Sequence, residues 1–156
     1  MARLLLLGGS SCRALALARD MTAEGHAVRA VTRSEANREK IEATGAECWI
    51  GDPDRVGTLR YALDNVTVLL WLLGAAEPEG ELHGTRLTMM LERTIDTTVR
   101  GVVYEGTEAG AAEVRRMAAY NEIPHAILTA GRDEEAAWVA AVREAIDGVL
   151  AAPRGR

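Results

Sequence analysis

Short apolar runs alternate with segments whose apolar residues recur every three or four positions, almost to the end of the chain. Leu4–Leu7 is continuously apolar and bounded by glycines, which predicts a strand covered on both faces. Beyond a Gly-Gly-Ser-Ser turn, Ala14, Leu17, Ala18 and Met21 fall at helical spacing, with Arg13, Arg19, Asp20 and Glu24 between them. Gly25 stands where a helix-ending glycine belongs, and Ala27–Thr32 follows as a strand. The rhythm then repeats. Asn37–Ala43 reads as a short helix, Glu47–Ile50 as a strand, Gly51–Asp54 as a turn and Thr58–Leu63 as another helix. Val66–Leu73 is a strongly apolar strand ending at Gly74. A Glu- and Gly-rich loop, Ala75–Glu81, leads into a long helix over 81–97 with Leu87, Met90, Leu91 and Ile95 on one stripe. Gly101–Glu105 and His125–Thr129 are the last strands, Ala111–Asn121 the helix between them. Glu134–Ala151 closes the chain with Trp138, Val142, Ile146, Val149 and Leu150 on its apolar face.

Strict alternation of strand and helix implies parallel strands joined by right-handed crossovers. The expected architecture is a three-layer α/β doubly wound Rossmann fold with six strands in the order 3-2-1-4-5-6. Nothing in the 156 residues reads as a linker, so one domain over 1–156 is expected.

In such a sheet the ligand crevice lies beyond the carboxyl ends of the strands, where strand order reverses. Here that is Gly8, Gly9, Ser10, Ser11, Cys12 and Arg13, facing Leu73 and Gly74. A dinucleotide diphosphate would meet backbone N–H groups and the positive end of the first helix. Gly8 and Gly9 suit the tight turn and Ala14 suits close helix–strand packing. Ser11, however, puts a side chain where bare backbone normally meets phosphate. The alternative is a sharp turn that Ser11 merely caps. At the end of the second strand, Thr32, Arg33 and Ser34 replace the acidic residue that holds unphosphorylated ribose, and a cation with two hydroxyls suits a 2′-phosphate. Asp52 could accept from an adenine amino group, or simply shape the turn before Pro53.

Net charge is −5, which offers no extended basic surface for nucleic acid. The apolar run near the N-terminus is too short for a signal peptide, and no window approaches a membrane span, so a cytoplasmic protein is expected. Cys12 and Cys48 lack disulfide or metal spacing, and no metal site is expected. Lys40 is the sole lysine.

These residues resemble the extended and atypical short-chain dehydrogenase/reductase proteins, particularly their NmrA-like branch. Gly8–Ala14 stands at that family's GxxGxxG turn, Gly25–Arg33 is similar to its second strand with a cofactor-selecting Arg, and Gly51–Gly74 resembles its "GD" turn and fourth strand. Val99–Tyr104 and Ile123–Gly131 resemble its fifth and sixth strands. The resemblance implies NADP or NAD bound by Gly8–Arg13, Thr32, Arg33, Asp52, Pro53, Leu73 and Gly74. It also implies a homo-oligomer paired through the 81–97 helix.

Two departures matter. The family's catalysts use a Tyr activated by a Lys four residues later, but Tyr61, Tyr104 and Tyr120 are followed at that spacing by Asn65, Glu108 and Pro124. An unassisted phenol titrates near pH 10, far from the pH at which it must work. Glu105 or Glu108 beside Tyr104 would raise that further, and Thr107 stands near the family's Ser/Thr position without a dyad to serve. The family also continues past the sixth strand into a substrate lobe, where this sequence has one helix and a short tail. A substrate pocket would then need the loops that carry Glu77, Glu79, Glu81, Glu105, Glu108 and Glu113, all read, like His83, as solvated. His26 and His125, at strand starts, and the three tryptophans read as structural. Three functions remain open: a non-catalytic or regulatory NAD(P)-binding protein with a protein partner, an oxidoreductase or epimerase with unfamiliar acid/base groups such as Glu105 or Thr107, and a scaffold that has lost its ligand.

Overall fold

The computed structural model describes residues 2–74, 80–129 and 134–153, so most of the Ala75–Glu81 loop and the C-terminal tail lie outside the described residues. Six parallel strands form one sheet in the order β3-β2-β1-β4-β5-β6. They are β1 (Arg3–Leu7), β2 (Ala27–Thr32), β3 (Glu47–Ile50), β4 (Val68–Leu72), β5 (Gly101–Gly106) and β6 (His125–Thr129). β1 lies between β2 and β4, so its four leucines are buried on both faces. Leu4 and Leu6 join Val28, Ala30, Val68 and Leu70 beneath α1 (Cys12–Ala23), α2 (Arg38–Glu42) and α5 (Glu135–Ala151). Leu5 and Leu7 join Leu69, Trp71, Val102 and Tyr104 beneath α3 (Thr85–Thr94), α4 (Glu108–Asn121) and two 3-10 turns. The expected topology is the observed one.

Three helices differ from the sequence pattern. Over 58–63 the chain forms 3-10 turns at Val56–Leu59 and Tyr61–Leu63. There the Thr58 hydroxyl accepts from the Asp52 N–H (2.8 Å) and donates to the Arg55 carbonyl (2.7 Å), competing with a continuous helical ladder. The 81–97 helix is divided: a 3-10 turn over Glu81–His83 stops at Gly84 (φ −124°, ψ −110°), and α3 spans only Thr85–Thr94. Past it, the Thr94 and Thr97 hydroxyls donate to the Leu91 and Thr94 carbonyls, and Ile95 stands 45% exposed rather than on the buried stripe. α4 begins at Glu108, three residues before the expected Ala111, where the Thr107 hydroxyl caps it by accepting from the Gly110 N–H at 3.0 Å; α2 departs from the expected Asn37–Ala43 by only one residue at each end.

Candidate dinucleotide crevice

Gly8 leaves β1 with φ +81°, a left-handed backbone that favours glycine. Gly9 is pressed against β2: its N–H donates to the Val31 carbonyl (3.2 Å), and a Cβ there would lie 2.8 Å from the Ala30 Cβ. The turn therefore sits directly on the sheet. It also abuts the end of β4, since a Cβ on Gly8 would stand 3.0 Å from the Leu72 carbonyl oxygen. Ser11 caps α1 through its hydroxyl, which accepts from the Ala14 N–H at 3.2 Å. The backbone N–H groups of Ser10, Ser11 and Cys12 reach no acceptor within hydrogen-bond geometry among the described residues, and Ser11 and Cys12 are exposed. Capping and anion binding are thus compatible here: the Ser11 hydroxyl is engaged by the Ala14 N–H and by none of those three amides.

Thr32, Arg33 and Ser34 do not act as one cluster. Thr32 is buried, and its hydroxyl accepts from the Ser34 N–H (3.3 Å) and the Asn37 side-chain amide (2.9 Å). Ser34 is turned to the Ala36 N–H. Arg33 is exposed at the end of β2, as is Ser34 beside it. Asp52 shapes its own turn, its carboxylate accepting from the Asp54 N–H at 2.9 Å, while Pro53 is buried beside it.

Arg13 and Glu105 meet in a way sequence spacing did not reveal. Glu105 was expected in a solvated loop beside Tyr104; it lies instead on β5, fully buried, on the opposite face of the sheet from Tyr104. Alternation along a strand dictates that opposition. The Trp138 indole N–H donates to its carboxylate (3.0 Å), and the Arg13 guanidinium lies 4.0 Å from the other oxygen and 4.6 Å above the Trp138 ring. Gly74 covers the carboxyl group so closely that a Cβ there would stand 2.8 Å from it. One carboxylate oxygen, Oε1, has no hydrogen-bond partner.

His83 was also read as solvated, but it is 5% exposed. Its Nδ1 lies 2.7 Å from the Tyr104 hydroxyl, which accepts from the Thr107 N–H at 3.0 Å. The phenol and Nδ1 share one proton, and which of them donates is set by the tautomer of the ring. Burial holds the ring below the usual imidazole range; the Leu73 carbonyl opposes that shift, yet Nε2 has no acceptor in hydrogen-bond geometry. Glycines keep room for the pair: a side chain on Gly106 or Gly110 would collide with the Tyr104 hydroxyl. Lys40 is exposed on α2, at the β3 end of the sheet, so no Tyr–Lys dyad forms. Among the described residues no His, Cys, Asp and Glu side chains group as metal ligands, and no helix is long and apolar enough to cross a membrane.

No protein-family model matches the sequence. A ketoreductase of Stigmatella aurantiaca that acts on a farnesyl dihydroquinoline oxide is 29% identical over 128 residues. The match takes in 77% of this chain and 38% of that protein. The triphenylmethane reductase of Citrobacter sp., solved with NADP(H), superposes with a TM-score of 0.64 at 16% identity. That superposition covers 81% of this chain and 48% of the reductase. A Rossmann-fold NAD(P)-binding family protein from Shigella flexneri gives a TM-score of 0.66 at 16% identity, covering 94% of this chain and 87% of that one. The fold is Rossmann-like. The chain thus spans under half the length of the two reductases, and nearly the whole of the Shigella protein.

Proposed function

We propose that this chain binds a nicotinamide dinucleotide in the crevice between the Gly8–Arg13 turn and Leu73–Gly74, with preference for NADP(H). The observation that carries the reading is that the Ser10, Ser11 and Cys12 amides at the start of α1 have no acceptor among the described residues, where a diphosphate would meet both the donors and the helix dipole. The NADP(H) bound by the Citrobacter reductase and the NAD(P)-binding description of the Shigella protein support it. Arg33, exposed at the end of β2, is the proposed partner of the 2′-phosphate. Asp52, already engaged in its turn, has the weaker claim to contact the adenine.

Titration of the purified protein with NADPH and NADH tests the site. Arg33→Ala is expected to weaken NADPH about tenfold to a hundredfold, the worth of one charge-assisted hydrogen bond, and to leave NADH unchanged. Failure of both dinucleotides to bind would overturn the reading. The missing Tyr–Lys dyad favours a role in which a protein partner reads cofactor occupancy. A second reading, an oxidoreductase, is favoured by the buried His83–Tyr104 pair at the carboxyl ends of β4 and β5. A cytoplasmic location and self-association through α3, where Met89 is 39% exposed, belong to the same proposal.

A further inference from the structure

We propose that a groove at the amino ends of β4 and β5 binds a basic amino acid such as lysine. The dinucleotide crevice lies at the carboxyl ends of the same strands, so this second site stands or falls independently of it. One wall is the 3-10 turn carrying Arg60, Tyr61 and Asp64, which leads into β4. The other is the end of α3 with Glu92, Arg93 and Asp96, which leads into β5. The groove holds about 430 Å³, inside the range of about 300–1,000 Å³ usual for small-molecule sites.

Two observations set this groove apart from an ordinary charged surface. Its walls are braced from behind. Arg29, a buried arginine of β2, donates to the carbonyls of Ala62 (2.5 Å) and Asp64 (3.2 Å), and the Thr94 and Thr97 hydroxyls hold carbonyls at the end of α3. Such bracing lowers the cost of ordering a site around a ligand. Its charges also stay apart. Among the described residues no ion pair joins Arg60 or Arg93 to Asp64, Glu92 or Asp96, and the Arg60 guanidinium lies instead 5.6 Å from the Tyr61 ring. Two guanidiniums and three carboxylates leave the lining with one negative charge in excess, and the carbonyl end of the α3 dipole adds to it. A ligand that neutralises this set carries two cationic groups and one carboxylate, the charge pattern of a basic amino acid. Its carboxylate would meet Arg60 and Arg93, and its two ammonium groups would meet Asp64 on one wall and Glu92 and Asp96 on the other. The methylene stem would lie along Tyr61, which is 64% exposed, and Leu63 at the floor.

Amide chemical shifts followed during titration with L-lysine test the site. Signals of residues 60–64 and 92–97 should move together and saturate, while those of Gly9–Cys12 stay in place. Cadaverine, which lacks the carboxylate, and 6-aminohexanoate, which lacks the α-ammonium group, should each bind about tenfold more weakly. Arg60→Ala and Asp96→Asn should each lower lysine affinity about threefold to tenfold and leave the urea midpoint where it was, since both side chains are exposed. Arg60→Ala should cost lysine more than cadaverine, because only lysine offers it a carboxylate; Asp96→Asn should weaken both. The absence of saturable shifts at millimolar lysine, equal affinity for the three probes, or unchanged lysine affinity in both variants would overturn the proposal.

Discussion

Gly9→Ala is the most direct perturbation of the crevice, because the atoms it would strike are named and cannot move far. The added methyl carbon would lie 2.8 Å from the Ala30 Cβ, 3.1 Å from the Val31 carbonyl oxygen and 3.2 Å from the Val31 nitrogen. Two of those three atoms are backbone in the middle of the sheet, and Ala30 is itself fully buried. The turn must lift by several tenths of an ångström and stretch the Gly9 N–H to Val31 bond, already 3.2 Å long. Overpacking of this kind costs about 1–3 kcal/mol. At this chain length each kcal/mol corresponds to about 2–4 °C in melting temperature. Gly148→Ala supplies the opposite sign. Gly148 lies within α5 with nothing within 4 Å of its missing Cβ, so alanine should gain about 0.5–1 kcal/mol from helix propensity. Urea unfolding of both variants, read by circular dichroism, measures the two effects on one scale. NADPH titration of Gly9→Ala should also show weakened binding, since the lifted turn carries the proposed diphosphate amides. An unchanged midpoint for Gly9→Ala, or a loss for Gly148→Ala of similar size, would refute the packing argument.

Trp138→Phe keeps the aromatic body but removes the donor to the buried Glu105 carboxylate, and is expected to cost about 1–3 kcal/mol in the same unfolding assay. His83 makes stability depend on pH: burial lowers its folded pKa beneath the unfolded value near 6.5, so the unfolded chain binds the proton first and stability falls as pH drops below about 6.5. In melts at stepped pH, His83→Phe should flatten that part of the profile. Cys12 is exposed in the turn, whereas burial pushes the Cys48 thiol up, so iodoacetamide followed by mass spectrometry should label Cys12 alone in the folded protein. NADPH should slow that labelling if the diphosphate seats on the Cys12 amide.

The topology was legible because every level of the sequence agrees on it. The leucines of β1, the stripe of α1 and Gly25, which adopts φ +96°, each point to the same βαβ unit. The turn was legible for the same reason, down to its cap. The long third helix was misread because apolar periodicity runs on through residues whose side chains capture backbone carbonyls, and because Gly84 breaks the backbone without breaking the pattern. Glu105 carried a usable signal. Two adjacent residues of a strand face opposite ways, so Glu105 and Tyr104 could not both line one pocket, although its burial under Trp138 depends on a helix 33 residues away. His83 carried none, since its partner is 21 residues distant and lies across two elements.

The two arginines near the crevice divide its electrostatics. Arg13 follows directly on the exposed amides and would be the obvious cation for a diphosphate, yet its guanidinium is drawn over the Trp138 ring and towards the buried Glu105 carboxylate. Moving it to the ligand would leave that carboxylate with only the indole N–H, a costly exchange in so buried a position. Arg13 is therefore best understood as tying α1 to α5 and β5, and a diphosphate at this turn must be held by backbone amides and the helix dipole, whose strength does not distinguish one dinucleotide from another. On the proposed reading, discrimination would fall to the far end of the ligand, where Arg33 stands exposed while the neighbouring Thr32 and Ser34 hydroxyls serve their own turns. A crevice built this way separates holding from choosing. The Gly8–Cys12 turn would set affinity for every dinucleotide alike, and a single exposed cation would set which one is preferred.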